Sequence, residues 1–233
     1  METCMKSILE MCSECDVFSL SSVAPISSIP QKDKEDLLKN HLVSVKKLLK
    51  ERYDYFSETE KNLPDFETVF HEIVDECESF YKNLCFKNEN KLKHDGSPFI
   101  CDHVGKDTKY SKPLNLFWHF YHEIQNAMFS LSELQKLPSC EKFDIHKIIT
   151  DQQDAILIKN FIKYEYTYST HCTIGILQLV LYFKLNDKTK NWLMQFKTDF
   201  DLENSNFEDL AIYKKDKIEF SSCTHERFNS INP

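Results

Sequence analysis

Few residues in this chain have the types and spacing that chemistry requires. Cys12 and Cys15 form a CxxC pair with Cys4 upstream, half of a zinc site or a redox dithiol. Tetrahedral zinc needs four ligands and no fourth donor lies nearby in sequence, so free thiols are the simpler reading. Cys101 and His103, with Asp102 and Asp107, could hold a metal from a loop; the plainer alternative is ordinary loop residues. His119 and His122 stand three apart with Glu123 following, whereas a zinc-protease helix needs histidines four apart around its glutamate. Surface or rim histidines are the expectation. No GxSxG, P-loop or dinucleotide fingerprint occurs. A triad assembled by folding leaves no spacing signature, so an enzyme of that kind stays open as a third alternative. The leading expectation is not an enzyme.

Composition narrows the classes. Three glycines in 233 residues argue against Gly-rich phosphate loops, tight turns and all-β architecture. Twenty-nine Lys and Arg against 37 Asp and Glu give a net charge of −8 without a basic stripe, which argues against direct nucleic-acid binding. Nine scattered cysteines and no signal peptide point to free thiols in a soluble intracellular protein, nuclear or cytoplasmic. The longest apolar run, Ile174 to Phe183, is too short to span a bilayer and reads as a buried helix or strand.

The elements that must position any site read as helices. Residues 1–30 form a flexible or partly helical segment ending in a Ser/Pro-rich linker from Ser19 to Pro30. Residues 31–233 then form a single helical domain. A first long helix is expected from about Gln31 to Phe56, with Leu38, Leu42, Val45 and Leu49 on its apolar stripe. A second runs from about Phe66 to Phe86 and is capped by Asp65. A third runs from about Leu114 to Leu137 and stops at Pro138. A fourth is expected from Thr150 or Asp151 through Ile162. The fold class is therefore mainly α, a helical sandwich or orthogonal bundle, with at most one small β-hairpin near residues 211–220.

The order of these segments carries a resemblance. LLKNHLVSVKKLLKE (Leu37 to Glu51), WHFYHEIQNAMFSLSELQKLP (Trp118 to Pro138), FDIHKIITDQQDAILIKNFIKYEY (Phe143 to Tyr166) and IYKKDKIEF (Ile212 to Phe220) are the segments concerned. They resemble the first, third and fourth-to-fifth helices and the β-turn of nuclear-receptor ligand-binding domains of the retinoid-related orphan receptor and Rev-erb type. The resemblance implies a divergent, truncated ligand-binding-like domain for transcription regulation, without its own DNA-binding domain. It implies a coregulator groove clamped by Lys136 and Lys159, and a pocket lined by Met128, Leu131 and Ile158 for a buried hydrophobic ligand. Its partners would be coregulator-like helices or a dimer partner. The alternative from the residues themselves is a helical protein-interaction protein with no ligand.

Overall fold

The computed structural model describes residues 4–24, 26–58, 62–87, 117–170, 174–224 and 227–231. The chain divides into two compact units. The first comprises Met1–Leu37, Leu137–Cys172 and Gln178–Pro233; the second comprises Leu38–Lys136 and Thr173–Leu177.

The first unit is built on a six-stranded sheet, which overturns the expectation of a mainly α, all-helical protein with one hairpin. The strands of that sheet are β1 (Val17–Ser22), β4 (Phe161–Ser169), β5 (Ile174–Lys184, in this unit from Gln178 onward), β6 (Phe207–Lys214), β7 (Lys217–Cys223) and β8 (Phe228–Ile231). They lie in the order β4-β5-β1-β6-β7-β8. Two short segments, β2 (Ile29–Pro30) and β3 (Ser139–Cys140), pair in parallel beside it. The hairpin near 211–220 exists as β6 and β7, but as two strands of this larger sheet.

Two misreadings have physical causes. The linker expected from Ser19 to Pro30 begins inside β1, whose central residues alternate: Phe18 and Leu20 are fully buried on one face, while Ser19 and Ser21 occupy the other. The fourth helix is real only as α5 (Ala155–Asn160), preceded by a 3₁₀ turn at Gln152–Asp154. From Phe161 the chain becomes β4, where Tyr164, Tyr166 and Tyr168 alternate with Lys163, Glu165 and Thr167. That period of two suits a pleated strand and not a helix.

One sheet face carries the core. Phe18, Leu20, Leu181, Phe183, Ile212 and Phe220 cluster with Met5, Ile8 and Leu9 of α1 (Met5–Met11). Trp192 and Leu193 of α6 (Asp187–Leu193) and Leu157 of α5 complete it. Burying each large side chain contributes about 1.5–3 kcal/mol. Asn186 caps α6 through a capping box with Thr189, satisfying orphan N–H groups at its start. Asn186 also donates to Asn160 Oδ1 at 2.6 Å, linking α6 to the end of α5.

The second unit is helical, in α2 (Gln31–Ser57, from Leu38 onward), α3 (Phe66–Lys87) and α4 (Trp118–Lys136). Val45 and Leu49 are buried on α2, and Val69, Phe70, Ile73 and Cys77 on α3. Phe120, Tyr121, Ile124 and Ala127 are buried on α4. Phe66 meets Phe120 edge-on at 6.3 Å and Tyr53 at 5.4 Å. Asp65 caps α3 by accepting from Thr68 N–H at 3.0 Å, and these bonds hold its carboxyl below the usual range. No described helix is long and apolar enough to cross a membrane.

A buried polar pair ties α5's approach to α6: Trp192 Nε1–H donates to Asp154 Oδ1 at 2.9 Å. Burial pushes the Asp154 carboxyl up from 3.8, more than the Trp192 bond pulls it down. The folded state therefore holds the proton more tightly than the unfolded chain. This contribution to stability is complete below pH 3.8 and fades as pH rises through the folded value. Asp154→Asn keeps an acceptor for Trp192 and removes the buried charge; its Tm at pH 7 should rise by about 2–4 °C. Trp192→Phe removes the donor and should cost about 2–3 kcal/mol in urea unfolding at pH 7. A loss of stability in the asparagine variant would contradict this reading.

Candidate functional site

The sheet has a second face, and its residues are set by the same alternation. β1 contributes Ser19 and Ser21, β5 contributes Val180 and Tyr182, and β4 contributes Glu165 and Thr167. Register places Ser19 opposite Tyr182 on one side and Ala211 on the other. Small side chains on the central strand between larger ones on its neighbours leave a depression. This is a cleft of about 190 Å³ lined by Ser19, Ser21, Glu165, Thr167, Thr170, Val180, Tyr182, Tyr213 and Ile218.

Hydroxyls dominate the cleft, and several are already engaged. Ser19 Oγ and Tyr213 OH share a hydrogen bond of 3.1 Å. Tyr182 OH donates to Glu165 Oε2 at 3.2 Å. The Tyr182 and Tyr213 rings lie 5.9 Å apart, and Lys163 rests its ammonium 4.4 Å from the Tyr182 ring centroid. Burial first, then Tyr213 and Glu165, push the Tyr182 hydroxyl far above its ordinary value, so it remains a donor at neutral pH.

The groups this arrangement brings together are hydrogen-bonding and aromatic. Among the described residues lining it there is no cysteine or histidine to pair with Ser19 or Ser21 as nucleophile and base. It offers one carboxylate, two aromatic rings and several hydroxyls, a set suited to a hydrogen-bonding cation.

The residues singled out from sequence fall elsewhere. Lys136 ends α4 in the second unit, exposed, and donates to Glu133 at 2.7 Å. Lys159 is exposed in the last turn of α5 in the first unit. Met128 and Leu131 belong to α4 in the second unit, and Ile158 packs against the core of the first.

Cys12 and Cys15 are buried free thiols at the end of α1, with Cys15 N–H donating to Cys12 O at 3.0 Å. Burial, then the neighbouring Cys15, push the Cys12 thiol up to about 12, which keeps it protonated and unreactive. Cys4 is exposed. No group of three or more His, Cys, Asp or Glu placed to hold a metal occurs among the described residues. Cys101, Asp102, His103 and Asp107 lie outside them.

His119 is exposed on α4, and Glu123 faces Arg52 of α2 at 3.6 Å. The cleft residues were missed because serine, threonine and tyrosine form no named motif. The signal available was the alternation of FSLS and KYEYTY.

No family model, curated protein or solved structure matches this chain.

Glu123 supplies a pH test within the helical unit. Burial raises its carboxyl to about 7 against the opposing pull of Arg52. A raised value means protonation favours the fold, so this stability is present below 4.5 and lost as pH rises through about 7. Urea midpoints measured from pH 4.5 to 8 should fall for the wild type. Glu123→Gln should flatten that trend, and an unchanged slope would contradict the assignment.

Proposed function

We propose that this chain is a non-catalytic protein-interaction module whose sheet cleft receives a cationic side chain, arginine or lysine, from its partner. The observation that supports the reading is the convergence of Glu165, Tyr182 and Tyr213 with the hydroxyls of Ser19 and Thr167 in one cleft. A carboxylate gives a charge-assisted hydrogen bond to a guanidinium, and tyrosine faces attract the same cation. Lys163 over the Tyr182 ring is an internal instance of that attraction. Net charge of −8 favours approach of a basic partner segment.

The receptor resemblance implied a helical sandwich, and the six-stranded sheet is no part of that architecture. The proposal therefore carries forward only its protein-partner half, with the contact moved from a lysine-clamped groove to the sheet.

Blocked arginine, Nα-acetyl-arginine amide, and its neutral citrulline counterpart separate charge recognition from general adhesion. Titrated into the full chain, the arginine probe should shift the NMR ring resonances of Tyr182 and Tyr213, and citrulline should not. Glu165→Gln should weaken the arginine effect about tenfold. Equal shifts from both probes, or none from arginine, would sink the proposal.

A further inference from the structure

β4 is a terminal strand of the six-stranded sheet, with β5 as its neighbour in the sheet order. Nine residues make it long for an edge, and an edge strand presents a row of N–H and C=O groups that another strand can pair with. Ile162, on this strand, leaves 43% of its surface exposed. Among the described residues no further strand pairs with this edge.

Its side chains specify which strand. Lys163 makes no ion pair among the described residues and rests on the Tyr182 ring instead. Glu165 accepts from Tyr182 OH, and no cation pairs with it among the described residues. In antiparallel pairing, residues directly opposite share a face and lie within reach of each other. If two β4 strands pair about a two-fold axis through Tyr164, each Lys163 meets the other copy's Glu165, and each Ile162 meets the other's Tyr166. Centring the pair on Lys163 sets lysine against lysine, and centring it on Glu165 sets carboxylate against carboxylate. Like charges directly opposite are destabilising, so the charge pattern selects the Tyr164 register.

We propose that a second copy of this chain docks on the β4 edge, by antiparallel pairing centred on Tyr164, to form one continuous sheet across two protomers. The two-fold axis is perpendicular to the sheet, so both cleft faces fall on the same side. This self-association does not depend on the cation-binding reading of the cleft.

Charge reversal tests it on the full chain. Sedimentation velocity across a concentration series should show a monomer–dimer equilibrium for the wild type. K163E puts two carboxylates on that face of β4 and E165K puts two ammoniums there. Each alone should weaken association about tenfold or more while circular dichroism shows an unchanged fold. An equimolar mixture of the two variants should recover dimer as a heterodimer, and the K163E/E165K double variant should recover the homodimer. A monomeric wild type at every concentration, single variants that still dimerise, or a mixture that stays monomeric would each overturn the proposal. Tyr213→Phe alters the cleft and leaves the β4 edge intact. It should keep the dimer, whatever becomes of arginine binding.

Discussion

A strand inside an antiparallel sheet must satisfy two faces at once, and β1 carries that constraint for this protein. It pairs with β5 on one side and β6 on the other. Phe18 and Leu20 fill the core, while Ser19 and Ser21 turn to the opposite face. A slip of one residue would exchange the two sets, placing hydroxyls in the core and a phenyl ring in the cleft. Each unpaired hydroxyl moved into the core costs about 1–3 kcal/mol, so the register is strongly selected. The cleft follows from it. Serines in the middle strand, between Tyr182 and Tyr213 on the flanking strands, are what leave the depression open.

Buried polar contacts also fix β6, the strand that pairs with β1 on one side. Asp209 sits at φ 54° in β6, and the β1–β6 register shifts between Ser19 and Ser21. A left-handed conformation costs a non-glycine residue about 1–2 kcal/mol. The cost is offset by reciprocal bonds: Asp209 N–H donates to Thr224 Oγ1 and Thr224 N–H donates to Asp209 Oδ1, both at 2.9 Å. The irregularity thus anchors the strand next to the cleft floor.

What could be read from the residues differs between the two units for one reason. α2, α3 and α4 repeat an apolar residue every three or four positions over long stretches, and Asp65 marks the start of α3; such signals survive without tertiary context. The sheet offered shorter signals that composition masked. Serine-rich sequence around β1 resembles a linker, and only Lys159 and Asn160 separate the apolar stretch of α5 from Phe161 and Ile162 of β4. Scarce glycine also suggested few tight turns. Asp209, Lys215 and Arg227 instead take positive φ themselves, Lys215 within the two-residue turn joining β6 to β7. The cleft was hidden more deeply, because its residues come from five strands and acquire meaning only through register.

Cleft and edge share a strand, which couples the two proposals energetically. Glu165 and Lys163 both contact Tyr182, one through its hydroxyl and the other through its ring. A cation entering the cleft competes with Lys163 for the ring. A second copy whose Lys163 reaches Glu165 competes with that cation for the carboxylate. Binding at one place therefore weakens binding at the other, and by linkage the penalty is the same in both directions. Drawing Lys163 toward a second copy also uncovers the Tyr182 ring, a smaller effect of opposite sign. The carboxylate term dominates, since a charge-assisted bond is stronger than an exposed cation–π contact of about 0.5–1 kcal/mol. On the two proposals together, self-association and partner recognition are alternative uses of one carboxylate, decided by the relative concentrations of a second copy and a basic partner.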